Sequence, residues 1–271
     1  MPELPEVETV RMGLIREVKG KKILKCVVRW NGIIASPSVE EFIRKIEDQT
    51  INDVLRRGKF LMFVLDDYFL ISHLRMEGKY FIKKEGEHLD KHDHVIFTLN
   101  TGEELRYNDT RKFGKMYLFK CNELEKSPIA KLGKEPNDSS LDVNYLKNKF
   151  NKKKAIKTLL LDQSIICGIG NIYADEILFL SKINPERYGY DLNDMELQAI
   201  IDNTRIILDR AIEMGGTTIH TYKAVNGITG RFQQELLVHG KKGEKCPICG
   251  NEIIKITVNT RGTYYCFKCQ K

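Results

Sequence analysis

Two Cys-x-x-Cys pairs, Cys246-Pro-Ile-Cys249 and Cys266-Phe-Lys-Cys269, stand sixteen residues apart at the end of this 271-residue chain. Pairs at this separation suit four thiolates around one tetrahedral Zn2+ on two hairpin knuckles, with a redox pair as the competing reading. Four protein ligands leave no open coordination position, so such an ion is structural. A segment this short buries little core, and the metal takes the core's place. Between the pairs, Asn259-Thr260-Arg261-Gly262-Thr263 reads as a hairpin tip. It presents Arg261 outward, where phosphate is the natural partner in so basic a module.

Two further clusters could do chemistry. Gly168-Ile-Gly-Asn171 ahead of a helical stretch brings free N–H groups and a helix N-terminus to one point, which is an anion site. Glycines between helices also simply turn chains. The start, Met1-Pro2-Glu3-Leu4-Pro5-Glu6, is the other. Loss of Met1 would leave Pro2 as a secondary amine. An α-amino group titrates near 8, so a free-base fraction exists at neutral pH to attack an electrophilic carbon. Glu3 beside it could shuttle protons. On local physics alone, prolines and acids opening a helix are the simpler reading.

The elements that must position these groups follow from periodicity. Val7, Val10, Leu14 and Val18 form one apolar stripe, predicting a helix from Pro5 to about Lys19 that ends at Gly20. Short β-rich runs then follow at 23–30, 51–56, 60–65, 69–73, 79–83, 94–99, 104–107 and 116–119, which predicts an antiparallel β-sandwich. Residues 126–140 hold Pro128, Gly133, Pro136, Asn137 and Asp138 and read as a linker. Helices are expected at 141–150, 155–162, 172–180 and 195–214, the last capped by Asn193/Asp194 and ended by Gly215-Gly216. A polar loop, 217–230, leads to the cysteine module. The expected class is α+β multidomain, divided at 1–130, 131–236 and 237–271.

Lys and Arg number 44 against 37 Asp and Glu, a net charge of +7. Lys147, Lys149, Lys152, Lys153, Lys154 and Lys157 form one basic run, and residues 241–271 are basic as well. Each reads alone as a solvated face; together they favour a polyanion. No stretch reaches 18 apolar residues and no signal pattern opens the chain, so a cytoplasmic protein is expected, without disulfides among the remaining cysteines.

The chain resembles the formamidopyrimidine-DNA glycosylases from Pro2 to Gln270. The resemblance is carried by Pro2-Glu-Leu-Pro-Glu-Val-Glu-Thr9, Arg57-Gly-Lys59, Ser72-His73-Leu74-Arg75-Met76, Lys91-His92-Asp93-His94, Asp109-Thr-Arg111-Lys-Phe113-Gly114, Gly168-Ile-Gly-Asn171-Ile-Tyr-Ala-Asp-Glu176 and the cysteine module. It implies a β-sandwich domain, a helix-two-turn-helix domain and a zinc finger holding damaged duplex DNA, in a monomer associated with the nucleoid. Pro2 would be the nucleophile at C1′, forming a Schiff base with the sugar, and Glu3 the proton donor and acceptor. Lys59 would serve β-elimination, and Arg261 δ-elimination and phosphate binding. His73, His92, Lys153, Asn171 and Lys255 match backbone-contacting positions. Met76, Arg111 and Phe113 match the trio that fills the vacated stack, offsetting the unstacking of a flipped base. Lys157, Thr217, Ile219, Thr221 and Tyr222 match positions near the lesion. His239 stands where tyrosine is usual, and Lys134 where glycine is.

Leu4 and Val7 and the intact trio imply excision of oxidised purines such as 8-oxoguanine opposite cytosine. An endonuclease VIII-like enzyme for oxidised pyrimidines is the alternative. A non-catalytic zinc-ribbon DNA-binding protein is the alternative from another class.

Overall fold

The computed structural model describes residues 1–217 and 230–271. The chain divides into two compact units, Met1–Ala130 with Gly215–Gly230, and Lys131–Met214 with Arg231–Lys271.

The first unit opens with α1 (Leu4–Val18), with a proline in its first turn. Its predicted stripe, Val7, Val10, Leu14 and Val18, is buried at 1% exposure or less. Gly20, at φ +80, turns the chain away, and its N–H donates to the Ile51 carbonyl (2.7 Å). Glu8 then fixes the helix to the sheet: one oxygen accepts from Arg11 (2.7 Å) and the other from Arg56 (2.9 Å). The strands are β1 (Ile23–Val28), β2 (Ile34–Ser36), β3 (Asp53–Arg57), β4 (Phe60–Val64), β5 (Tyr68–His73), β6 (Lys79–Lys84), β7 (Asp93–Leu99), β8 (Glu103–Asn108) and β9 (Lys115–Lys120). They form two sheets, ordered β1-β7-β8-β6 and β2-β9-β5-β4-β3. Both sheets and α1 contribute to one apolar core, including Phe63, Leu70, Phe97, Leu105, Tyr107 and Met116.

Two elements lay outside the periodicity reading. β2 is three residues long and runs parallel to β9 at a sheet edge, whereas the other pairings are antiparallel. Helix α2 (Val39–Ile46) is anchored by Phe42 and Ile46 and capped by the Ser38 hydroxyl, which accepts from the Glu41 N–H (3.2 Å). Its apolar residues Val39, Phe42, Ile43 and Ile46 follow the i, i+3, i+4, i+7 spacing of one helical face, so α2, unlike β2, was within reach of a periodicity reading.

The second unit holds α3 (Val143–Phe150), α4 (Ile156–Leu160), α5 (Asn171–Leu180) and α6 (Asp194–Glu213). Asn193 caps α6 reciprocally: its side chain accepts from the Glu196 N–H (3.0 Å) and its N–H donates back to the Glu196 carboxylate (2.9 Å). Residues 173–179 of α5 are all buried, so this helix is enclosed on every side. It packs on α4, α6 and the last strand. That strand, β11 (Arg261–Tyr265), pairs with β10 (Ile254–Val258) through the two-residue turn Asn259-Thr260, both residues at positive φ. Phe179 of α5 joins Val238, Ile253, Cys246 and Cys266 in a small second core. No helix among the described residues is long and apolar enough to cross a membrane.

Candidate functional site

Pro2 and Glu3 are buried where α1 begins, and Met1 stays about half exposed. The Glu3 N–H donates to Glu6 Oε2 (2.8 Å). Glu6 Oε1 accepts from both the N–H (2.7 Å) and the hydroxyl (3.0 Å) of Thr217. Thr217, one of the expected lesion contacts, is therefore tied to the helix that carries Pro2. Ile219, Thr221 and Tyr222 lie outside the described residues.

Lys59 sits in the β3–β4 turn after Gly58, which adopts φ +54, and it is buried to 5% exposure. The β4–β5 register sets Phe60 opposite His73, and their rings meet edge to face at 4.5 Å. His73 Nδ1 accepts from the Arg75 N–H (3.0 Å), so its remaining proton is on Nε2. Burial, then the charges of Arg75 and Lys59, push its pKa down to about 3. The Met76 loop and the Arg111–Phe113 loop meet at one point. A Cβ on Gly78 would come within 2.2 Å of the Tyr107 hydroxyl oxygen, and one on Gly114 within 1.7 Å, so both glycines close against this ring. Fully buried Asp109 shapes the second loop by accepting from the Arg111 N–H (3.0 Å) and the Gly114 N–H (2.8 Å). The result displays Met76 and Phe113 at 38% and 51% exposure, with the Arg111 guanidinium 5.0 Å over the Phe113 ring. His92 is half-buried on a segment clamped by Arg106, whose guanidinium donates to the carbonyls of Glu87 and His88 (both 2.8 Å) and to Glu104 (2.7 Å).

In the second unit, the Sγ atoms of Cys246, Cys249, Cys266 and Cys269 lie within 4.8 Å of one another. Cross-pair spacings of 3.8 Å (Cys246–Cys269) and 3.5 Å (Cys249–Cys266) fit the ~3.8 Å edge of a tetrahedron with Zn–S near 2.3 Å. Gly250, at φ +73, turns the first knuckle. The set fits one structural zinc ion. Arg261 is exposed beside the turn and borders a polar cavity of about 310 Å3 with Thr158 and Asp162. Lys153 and Lys255 are exposed, the latter with its ammonium 5.2 Å over the Tyr264 ring. Asn171, first residue of α5, donates to the Gly262 carbonyl (3.0 Å), and its own buried Oδ1 has no partner among the described residues.

Lys157 requires a correction. Expected near the lesion, it has no exposed surface, and its ammonium donates to Asp175 (2.6 Å), the Thr263 hydroxyl (2.8 Å) and the Gly262 carbonyl (3.1 Å). A lysine so enclosed meets its neighbours and not a base. It supports the zinc hairpin from behind.

Sequence reasoning gave no role to Glu6, Asp109, Asp175 and Glu176, although all four lie inside motifs quoted above. Asp175 receives Lys157, the His239 ring (2.7 Å) and the Tyr264 N–H (3.3 Å). Glu176 accepts from three successive backbone N–H groups, those of Leu237, Val238 and His239. Burial raises its carboxyl pKa above the usual range, against the pull of these donors. Acids that touch nothing but protein leave no signal in residue type alone.

Residues 1–116 match the family model described as the formamidopyrimidine-DNA glycosylase N-terminal domain, 132–223 its H2TH domain, and 243–271 a zinc finger found in FPG and IleRS. The formamidopyrimidine-DNA glycosylase of Bacillus subtilis is 48% identical over 273 residues, covering 100% of this chain and 99% of its own. A Lactococcus lactis FPG variant bound to DNA containing Fapy-dG superposes with a TM-score of 0.94 at 41% identity, with 100% of both chains covered. The wild-type L. lactis enzyme bound to DNA containing an oxidised pyrimidine gives a TM-score of 0.92 at 40% identity, again over 100% of both. The chain belongs to the formamidopyrimidine-DNA glycosylase family.

Proposed function

We propose that this chain is a bifunctional DNA glycosylase and abasic-site lyase, a monomer acting on nucleoid DNA, that excises oxidised purines opposite cytosine. The observation that carries the reading is the display of Met76, Phe113 and Arg111 on two loops closed against one buried tyrosine. What sets these two apart from the chain's other exposed apolar residues is that they stand on loops closed against one tyrosine, beside one guanidinium, which suits a wedge that enters the base stack. The Arg111 guanidinium supplies donors for the orphaned cytosine.

With Met1 removed, the Pro2 nitrogen changes from an amide to a secondary amine whose lone pair attacks C1′. The glycosidic bond breaks, the base leaves with the electron pair, and Glu3 supplies the proton its departure requires. Glu3 takes the proton from the Pro2 nitrogen and returns it to O4′ as the C1′–O4′ bond breaks, leaving a cationic Schiff base on Pro2. That electron sink permits loss of a C2′ proton and β-elimination, in which the C3′–O3′ bond breaks and the 3′ phosphate leaves with the pair. Lys59, buried near His73, serves proton transfer there in this reading. Arg261 serves the second, δ-elimination at the 5′ side and grips phosphate together with Asn171. His73, His92, Lys153 and Lys255 are assigned to the DNA backbone, and Thr217, Ile219, Thr221 and Tyr222 to recognition of the extruded base. Zinc holds the finger and takes no part in these steps.

Borohydride trapping on a duplex with one 8-oxoguanine opposite cytosine, followed by peptide mapping, tests the assignment. The expected adduct lies on the N-terminal peptide beginning at Pro2, with a reduced yield in Pro2→Gly. An adduct mapped to a lysine would overturn the nucleophile. Faster turnover of a thymine-glycol duplex than of the 8-oxoguanine duplex would overturn the purine assignment.

A further inference from the structure

Glu6 makes a bridge that only a carboxylate can make. It is 5% exposed, and each of its oxygens accepts from a different part of the chain: Oε2 from the Glu3 N–H (2.8 Å), Oε1 from the N–H (2.7 Å) and hydroxyl (3.0 Å) of Thr217, 211 positions away. A glutamine would turn amide hydrogens toward one of these donors and lose that end. The approach is tight as well. Gly216 is at φ +76, and a Cβ there would lie 2.7 Å from Glu6 Oε1, so backbone alone can pass. The Glu3 N–H belongs to the peptide plane that begins at the Pro2 carbonyl. Only ψ of Pro2, the torsion about Cα–C, separates that plane from the ring nitrogen, and the buried ring has little room to turn about it. With the ring packed, orienting the plane orients the amine.

We infer that Glu6 is a positioning residue for the nucleophile, joining the Pro2–Glu3 peptide and the Gly216–Thr217 stem into one piece, so that a change at Thr217 is felt at Pro2. This rests on the assignment of Pro2 as nucleophile. A helix-terminal contact of purely structural value would alter stability and leave the chemistry on bound DNA alone.

The test uses a preformed abasic-site duplex, which has no base for Thr217 to meet, under single-turnover conditions with saturating enzyme. Thr217→Val keeps the N–H and loses the hydroxyl. Its borohydride-trappable adduct should form about tenfold more slowly, well within what a displacement of ~1 Å can cost, with the affinity for DNA unchanged. Thr217→Ser should recover most of that loss. In Glu6→Gln the adduct also forms slowly, and adding Thr217→Val should cost nothing more, because the linkage is already broken. Should Glu6→Gln fail to fold, the valine and serine variants decide the matter alone. Wild-type rates in Thr217→Val, or equal slowing by it in both backgrounds, overturn this inference while leaving Pro2 in place. Absence of any wild-type adduct at Pro2 overturns both readings together.

Discussion

His73 and Glu3 show how much one side chain's surroundings decide. In the folded chain the His73 pKa is lowered from 6.5 to about 3, by burial and by its cationic neighbours Arg75 and Lys59. The unfolded chain therefore binds a proton that the folded one refuses between those values. The contribution to stability is complete above about pH 6.5 and is lost progressively as pH falls toward 3. Thermal melts from neutral to acid pH should fall less steeply for His73→Gln than for wild type; identical slopes would remove His73 as the cause. Glu3 is buried beside Pro2 at 3% exposure, and its proposed task needs a proton on one oxygen and then none. Glu3→Gln should slow base release by roughly 10²–10⁴-fold, as loss of a general acid does. Binding to a duplex with a stable abasic analogue, measured by fluorescence anisotropy, should stay close to wild type.

Among the elements, the zinc hairpin depends most on another part of the fold. Lys157 and Asp175 are both fully enclosed, and removing the ammonium leaves the Asp175 charge to the His239 ring and the Tyr264 N–H, a loss of up to about 3–5 kcal/mol. Lys157→Met should therefore lower the melting temperature by roughly 10 °C, read by calorimetry. It should also speed zinc loss to a chelator, and an unchanged melt would show that the pair is not the support described. The four cysteines were readable from sequence because each knuckle needs its two ligands within three positions. The α1 stripe was readable because a helix repeats its burial every three to four residues. Lys157 was not readable: its hydroxyl partner Thr263 lies 106 positions away, and inside a run of lysines it looks like its exposed neighbours. Short β2 escaped for want of a second repeat; α2 was within reach, since Val39, Phe42, Ile43 and Ile46 mark one helical face.

For the molecule as a whole, charge is the property that acts at long range. The excess of +7 is spread over both units, and Lys147, Lys149, Lys152, Lys153 and Lys154 remain exposed once folding has withdrawn Lys157. Affinity for duplex DNA should fall linearly with the logarithm of salt concentration. Lys153→Ala and Lys255→Ala should each reduce that slope by about 0.9, the share of one phosphate contact. Titrations at several salt concentrations check this, and an unchanged slope would remove the residue from the phosphate interface. The succession of β-rich segment, helices and cysteine hairpin was legible from texture alone. How the parts are fastened was not, since Glu6, Lys157 and Glu176 all act across long stretches of chain.

Glu176 has a consequence for what this sequence is free to become. Its carboxylate holds the approach to the hairpin through the main-chain N–H groups of residues 237, 238 and 239. A grip on peptide groups is indifferent to side-chain identity and refuses only proline, which has no N–H to give. Val238 is still held to its type by the apolar core around Phe179, and Leu237 packs against that core, but position 239 keeps its main-chain anchor whatever side chain it carries. At 239 a histidine has entered, and its ring has found Asp175 at 2.7 Å while its backbone keeps to Glu176. The anchor is a licence for substitution, written in the one part of the chain that substitution leaves untouched.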